Sequence, residues 1–73
     1  MEIFWEDGAL IRVRTDGAET VLSANREGLL SLSKHFAALA EEAPGTHLHY
    51  DAYNSLEEGS SQLIVEVTEE VPE

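Results

Sequence analysis

Alternating apolar and polar positions divide the first 23 residues of the chain into three segments. The segments are separated by Asp7-Gly8 and Asp16-Gly17, each followed by alanine and flanked by β-prone residues. Asp-Gly between two alternating runs is typical of a two-residue hairpin turn, because these residues tolerate the positive φ that such turns require. The pattern therefore predicts a meander of three antiparallel strands, at residues 2–6, 9–15 and 18–23.

The alternation also assigns the faces of these strands, because successive side chains point to opposite sides. The residues expected to face the core are Ile3, Trp5, Ile11 and Val13. Arg12 and Arg14 lie between them and are expected to face water. In the third strand Val21 and Leu22 point opposite ways, and we favour Leu22 as the core residue.

After Asn25 the apolar positions recur every three or four residues, which predicts a helix over residues 26–41. The expected buried stripe consists of Leu29, Leu32, Phe36, Leu39 and Ala40. Asn25 has the side chain of an N-cap, and Pro44-Gly45 ends the helix. Gly28 is expected to weaken the first turn by roughly 0.5–1 kcal/mol relative to alanine. His35 is expected at the edge of the stripe, with a partly wet ring.

The rest of the chain predicts a second pair of strands. Residues 46–51 and 62–68 alternate, the latter with Leu63, Val65 and Val67 inward, and residues 52–61 form a long polar loop between them. Residues 69–73 are expected to be a frayed tail. The order βββ-α-ββ predicts a single α+β domain over residues 1–73, in which one helix packs on one face of an antiparallel sheet.

Charge narrows the classes of partner. The chain has 15 acidic residues against four basic ones and a net charge of −11, and every basic residue lies within the first 34 positions. The second half therefore repels phosphate backbones and anionic membranes and attracts a basic partner, so we expect no nucleic-acid and no membrane partner. Solubility alone is a competing explanation of the acidity.

Size and composition bear on stability and location. The chain has 73 residues and no cysteine, so disulfides and thiolate zinc sites cannot stabilise it. Self-association into a homodimer is the remaining common way to stabilise so small a domain. The N-terminus lacks a signal-peptide pattern, and no run approaches the ~20 apolar residues of a spanning helix, which predicts a cytoplasmic protein.

The second half of the chain contains residues suited to two kinds of chemistry. His47, His49 and Asp51 alternate, so they share one strand face and have the side chains that bind zinc, nickel or copper. The sequence provides no fourth ligand, so we expect no metal and no cofactor. A small-ligand or metal-binding module using the His47 and His49 face is the alternative class. Glu57 and Glu58 are an acid–base pair only in principle, because adjacent glutamates in a Gly/Ser-rich loop are usually solvated, and we expect no enzyme.

Residues 23–66 contain three short motifs in order: Asn-Arg-Glu-Gly-Leu at the helix start, His-Leu-His-Tyr-Asp in the strand and Leu-Glu-Glu-Gly-Ser in the loop. Through these motifs and their order, the segment resembles the bacterial immunity protein 32 family. The resemblance implies a small cytoplasmic protein that protects a bacterium from a toxin delivered between cells. Such a protein binds the toxin domain and blocks its active site, without catalysis of its own.

The acidic surface suits inhibition of a basic toxin domain such as a nuclease, through complementary charge and fast association. The partner is expected on the outward strand face and the adjoining loop, where Tyr53 supplies an aromatic anchor. The expected partner-binding residues are His47, His49, Asp51, Tyr53, Asn54, Glu57 and Glu58.

Overall fold

The computed structural model describes residues 1–69, in which one helix and four strands form an α+β fold. The elements in chain order are β1 (Ile11–Asp16), β2 (Glu19–Ala24), α1 (Arg26–Leu39), β3 (His47–Tyr50) and β4 (Leu63–Glu66). The strands form two antiparallel sheets of two strands each, β1-β2 and β3-β4. The predicted class and the order of the last four strands and the helix are therefore confirmed. Most of the predicted tail, residues 70–73, lies outside the described residues.

The predicted first strand, residues 2–6, is not formed. The turn after it is present, since Ala9 N–H donates to the Glu6 carbonyl at 3.2 Å and Gly8 has a φ of +81°. The backbone before the turn is bound by helix side chains: His35 Nε2 donates to the Phe4 carbonyl at 2.6 Å, and Glu6 N–H donates to Ser31 Oγ at 2.9 Å. These bonds replace the strand ladder that the alternation predicted.

The loop after β3 connects the two sheets, which were predicted to be one. Its Glu57 N–H donates to the Ile11 carbonyl at 2.8 Å, and its Ser61 N–H donates to the Val13 carbonyl at 2.7 Å. The loop therefore runs along the edge of β1 that β2 leaves open. Leu56, in a segment predicted to be polar, is buried and closes the core there.

The faces of the first hairpin are as predicted for β1 and only partly so for β2. Ile11 and Val13 are buried, and Arg12 is exposed. Leu22 lies opposite Val13 in the register and so shares its face, but unlike Val13 it is exposed. The half-buried residue is Val21, so the prediction of Leu22 as the core residue is wrong.

The helix begins as predicted, with Asn25 as its N-cap: the Asn25 Oδ1 accepts from Gly28 N–H at 2.8 Å. It ends at Leu39, two residues before the predicted end. Gly28 is a point of close approach, because a Cβ there would lie 2.7 Å from the Leu10 carbonyl oxygen. The contact brings the Gly28 side of the helix against the first hairpin.

This contact rotates the buried face of α1 away from the predicted stripe. The buried residues are Gly28, Ser31, Leu32, His35 and Leu39. Leu29 is 55% exposed, Phe36 is 40% exposed, and Ala40, the C-cap residue, is also exposed, so three of the five predicted core positions are wrong. His35 is fully buried, contrary to the prediction of a partly wet ring.

The second hairpin has the predicted alternation. Leu48 and Tyr50 are buried, and His47 and His49 are exposed. In β4, Leu63 and Val65 are partly buried and pack against the core, as does Val67 just after the strand. Among residues 1–69, no helix has the length and apolar character needed to cross a membrane.

Candidate functional site

The outward face of β3 presents two imidazoles to solvent. His47 and His49 alternate with the buried Leu48 and Tyr50, so they point the same way. His49 Nε2 donates to the Gln62 side-chain carbonyl at 3.1 Å, which ties the ring to the segment just before β4. His47 lies at the far end of the strand and is directly opposite Glu66 in the register.

Asp51 organises the turn that follows β3. Its Oδ1 accepts from the backbone N–H of Tyr53 at 2.9 Å and of Asn54 at 3.0 Å, and its carbonyl accepts from Leu56 N–H at 2.8 Å. In return Asp51 N–H donates to Asn54 Oδ1 at 3.2 Å. This Asx-type turn follows from the ability of a short carboxylate to hydrogen-bond backbone groups two and three residues on. It projects Tyr53 into solvent, where the residue is 98% exposed.

A hollow of about 530 Å³ lies beside this turn and brings three of the predicted residues together, Asp51, Tyr53 and Glu58. We call it the acidic hollow; its remaining lining residues are Ala52, Gly59, Ser60 and Gln62. Gln62 connects it to His49. A hollow with two carboxylates and an exposed phenol ring can accept a lysine or arginine side chain, through charge and through cation–π contact.

The remaining predicted residues face elsewhere. Asn54 lines a cleft with Trp5, on the side of the N-terminal segment. Glu57 is partly buried and lines a hollow with Leu10 and Asn25, beside the first hairpin. The predicted patch is therefore divided among several faces, and the acidic hollow with His49 is its most compact part. Gln62 was missed by sequence reasoning, although its position just before β4 placed it near the outward histidines.

A buried polar pair supports β3 from the core side. His35 Nε2 donates to the Phe4 carbonyl, an acceptor only, so His35 Nδ1 is unprotonated in the neutral ring and accepts from the Tyr50 hydroxyl at 2.9 Å. Burial raises the pKa of Tyr50 to about 12. Trp5 lies edge-on to His35 with 4.5 Å between ring centroids. Trp5 and Ile3 were both predicted to face the core, but Trp5 is partly exposed and Ile3 is exposed, so these two predictions are wrong.

The metal-binding alternative needs a third ligand beside His47 and His49. Within residues 1–69, no group of three or more histidine, cysteine, aspartate or glutamate side chains is placed so that it could hold a metal ion. Asp51, the third residue of the alternation, uses its Oδ1 in the turn. The structure therefore gives this alternative no support.

Comparison with known proteins gives a family. The model of the family described as immunity protein 32 matches residues 19–68, which is more than half of the chain. The chain therefore belongs to the immunity protein 32 family, and the matched region runs from β2 to just past β4. Comparisons with curated proteins and with solved structures found no match. The N-terminal segment and β1 lie outside the matched region.

Proposed function

We propose that the protein binds and neutralises a bacterial toxin domain, a basic one such as a nuclease. The observation that carries this proposal is the family match over residues 19–68. In this proposal the protein works in the cytoplasm by occupying the toxin and blocking its active site. It needs neither a cofactor nor catalysis of its own.

The distribution of charge supports a basic partner. Of the 15 acidic residues, nine follow Lys34, and no basic residue follows it. The field of such a surface accelerates encounter with a positively charged domain and weakens as salt screens it. An acidic inhibitor also covers the kind of surface that a nuclease uses to hold phosphates.

The proposed contact surface is centred on the acidic hollow and the outward face of β3. Tyr53 is the proposed anchor, since its ring is almost fully exposed and its backbone is already ordered by the turn, so a partner need not fix the turn when it buries the ring. Asp51 and Glu58 receive basic side chains, and His49 and His47 extend the surface along β3. Asn54 and Glu57 form its margins.

Coexpression with a candidate toxin encoded beside the gene for this protein tests the proposal, with growth rescue and complex formation as readouts. Glu58→Lys should slow association and reduce its salt dependence, because it reverses a charge at the acidic hollow. Glu19→Lys makes the same charge change on the β1–β2 hairpin and is the matched control. Tyr53→Ala should speed dissociation by an amount worth about 1–2 kcal/mol. Absence of both rescue and complex would refute the function, and equal effects of the two lysine variants would move the contact surface elsewhere.

A further inference from the structure

The hydrogen-bonding pattern between β3 and β4 determines which backbone groups of β3 are free. Val67 N–H donates to the Thr46 carbonyl at 3.0 Å, and Gly45 N–H donates to the Val67 carbonyl at 2.8 Å. Gly45 has a φ of +96°, so Gly45 and Thr46 together oppose Val67 in a bulge of the G1 type. The register continues with His47 opposite Glu66.

Opposed residues in an antiparallel ladder alternate between hydrogen-bonded and non-hydrogen-bonded pairs. Counting from Thr46 and Val67, the ladder bonds fall at Leu48 and Tyr50. The backbone groups of His47 and His49 therefore point away from β4, towards the outer edge of β3.

Hydrogen bonds from side chains agree with this ladder pattern. Asn54 Nδ2 donates to the His49 carbonyl at 3.4 Å, and the N–H of Asp51, the next alternate residue, donates to Asn54 Oδ1. Within residues 1–69, the His47 N–H, the His47 carbonyl and the His49 N–H make no hydrogen bond at this edge. The strand thus has an open edge, and its sequence His-Leu-His-Tyr has no lysine or proline of the kind that normally protects such edges.

A cleft of about 230 Å³ lies between β3 and the N-terminal segment. It is lined by Leu48, His49 and Tyr50 of β3 and by Ile3 and Trp5 of the N-terminal segment, with Asn54 and Ser55 of the turn after β3 completing the lining. The N-terminal segment makes no backbone hydrogen bond to β3 within the described residues, and its Phe4 carbonyl and Glu6 N–H are bound by His35 and Ser31 of the helix. The cleft thus combines free strand backbone with an apolar wall.

We propose that the open edge of β3 receives an extended segment of the toxin, which adds to the β3–β4 sheet as a third strand. This inference rests on the proposed function and names how the partner is held. The backbone of the incoming segment bonds to His47 and His49, and its alternate side chains point to opposite faces of the sheet.

The two faces differ, and their chemistry defines the segment. On the inner face, side chains enter the cleft beside Trp5, so they are apolar. On the outer face they lie on the side of His47, His49 and Glu66 and near Asp51, in a half of the chain without any basic residue, so they are basic. The fitting occupant is an extended segment in which apolar and basic residues alternate.

The test distinguishes binding through the backbone of His49 from binding through its side chain. His49→Pro removes the outward N–H but leaves the ladder bonds to β4. A strand tolerates proline at an edge position of this kind, where the N–H points away from the ladder. Ile64→Pro is the matched control, because Ile64 lies directly opposite His49 and its N–H points to the outer edge of β4. His49→Val removes the imidazole and keeps the N–H. The probe is the domain of the same candidate toxin, purified as a catalytically inactive variant, with its Kd measured by calorimetry.

We expect His49→Pro to raise the Kd by roughly tenfold or more, because one N–H···O bond is lost and the proline ring occupies the space of the incoming backbone. His49→Val should lose clearly less affinity than His49→Pro, and Ile64→Pro should bind as the unsubstituted protein does. Circular dichroism checks that the proline variants are folded. In the unsubstituted complex, the amides of His47 and His49 should exchange with solvent more slowly than in the free protein.

Unchanged affinity of a folded His49→Pro variant, or unchanged exchange at His47 and His49 in the complex, would overturn the inference and leave the proposed function standing. If His49→Pro does not fold, the exchange measurement on the unsubstituted protein decides. A homodimer that His49→Pro dissociates would assign the edge to a second copy of this chain, which also overturns the inference. If no complex with the toxin domain forms, the proposed function fails together with it.

Discussion

Removal of the Tyr50 hydroxyl is the sharpest test of how β3 is supported. Tyr50→Phe keeps the ring that packs beside Trp5 and His35 and removes only the O–H that donates to His35 Nδ1. His35 has 0% exposure, so water cannot easily replace the lost donor. Leaving a buried acceptor without a partner costs about 1–3 kcal/mol. A domain of this size has a total stability on the order of 5–10 kcal/mol, so this is a large fraction of it.

Urea unfolding followed by circular dichroism measures the loss, and a thermal scan should show the melting temperature lowered by about 4–8 °C for each kcal/mol. A double-mutant cycle with His35→Leu isolates the pair. Once His35 is leucine the Tyr50 hydroxyl has no acceptor, so Tyr50→Phe should then be neutral or stabilising, with a coupling energy of about 1–2 kcal/mol. A loss under about 0.5 kcal/mol in the single variant, or the same loss in both backgrounds, would refute this account of the pair.

The same hydroxyl gives stability a dependence on high pH. Burial raises the pKa of Tyr50 from 10.0 to about 12, so the folded protein keeps a proton that the unfolded chain loses in this range. The contribution is fully present below pH 10 and is lost as pH rises towards 12, by at most about 1.4 kcal/mol per pH unit. Tyr50→Phe should lack this component of the decline.

Four further substitutions test the helix. Leu32→Ala should cost on the order of 2–5 kcal/mol in urea unfolding, whereas Phe36→Ala should cost under about 1.5 kcal/mol because its ring is 40% exposed; equal losses would contradict the observed helix face. Gly28→Ala should destabilise, against the usual benefit of alanine in a helix, since its Cβ would lie 2.7 Å from the backbone oxygen of Leu10; a gain in melting temperature would show that the approach is looser. Asn25→Ala should cost about 1–2 kcal/mol, because the Asn25 side chain also bonds Leu10 N–H, and an unchanged unfolding midpoint would contradict its role as cap.

Local rules predicted the parts of the fold that depend on neighbouring residues. The Asn25 cap, the faces of β1 and the alternation of β3 each follow from a period or from a capping side chain, and all are present. The resemblance to the immunity protein 32 family also came from short local stretches, and the family match confirms it.

The predictions that were wrong have a different cause in common, since each concerned a feature that depends on contacts between distant parts of the chain. A β-prone alternation at residues 2–6 cannot reveal that its carbonyl and amide groups will be bound by His35 and Ser31 of α1. The helix carries apolar residues on two sides, so periodicity alone does not decide between them. Gly28 determines which side of the helix faces the first hairpin, because a residue without a Cβ fits against the backbone of Leu10 there. The candidate site was dispersed for the same reason: the loop that carries Glu57 and Glu58 is positioned by its bonds to β1.

The position of the N-terminal segment links the support of β3 to the proposed mode of binding. Trp5 is held edge-on to His35, and Phe4 is held through its carbonyl, so the wall of the cleft beside β3 is fixed by the same buried pair that supports the strand. The histidine, tyrosine and strand lie inside the family match, whereas Ile3 and Trp5 lie outside it. If the edge of β3 binds a toxin segment, its backbone bonds are generic to any extended chain, and discrimination among toxins must come from the side chains that line the cleft. Changes at Ile3 and Trp5 would then alter which toxin is bound while the matched region continues to supply the strand edge.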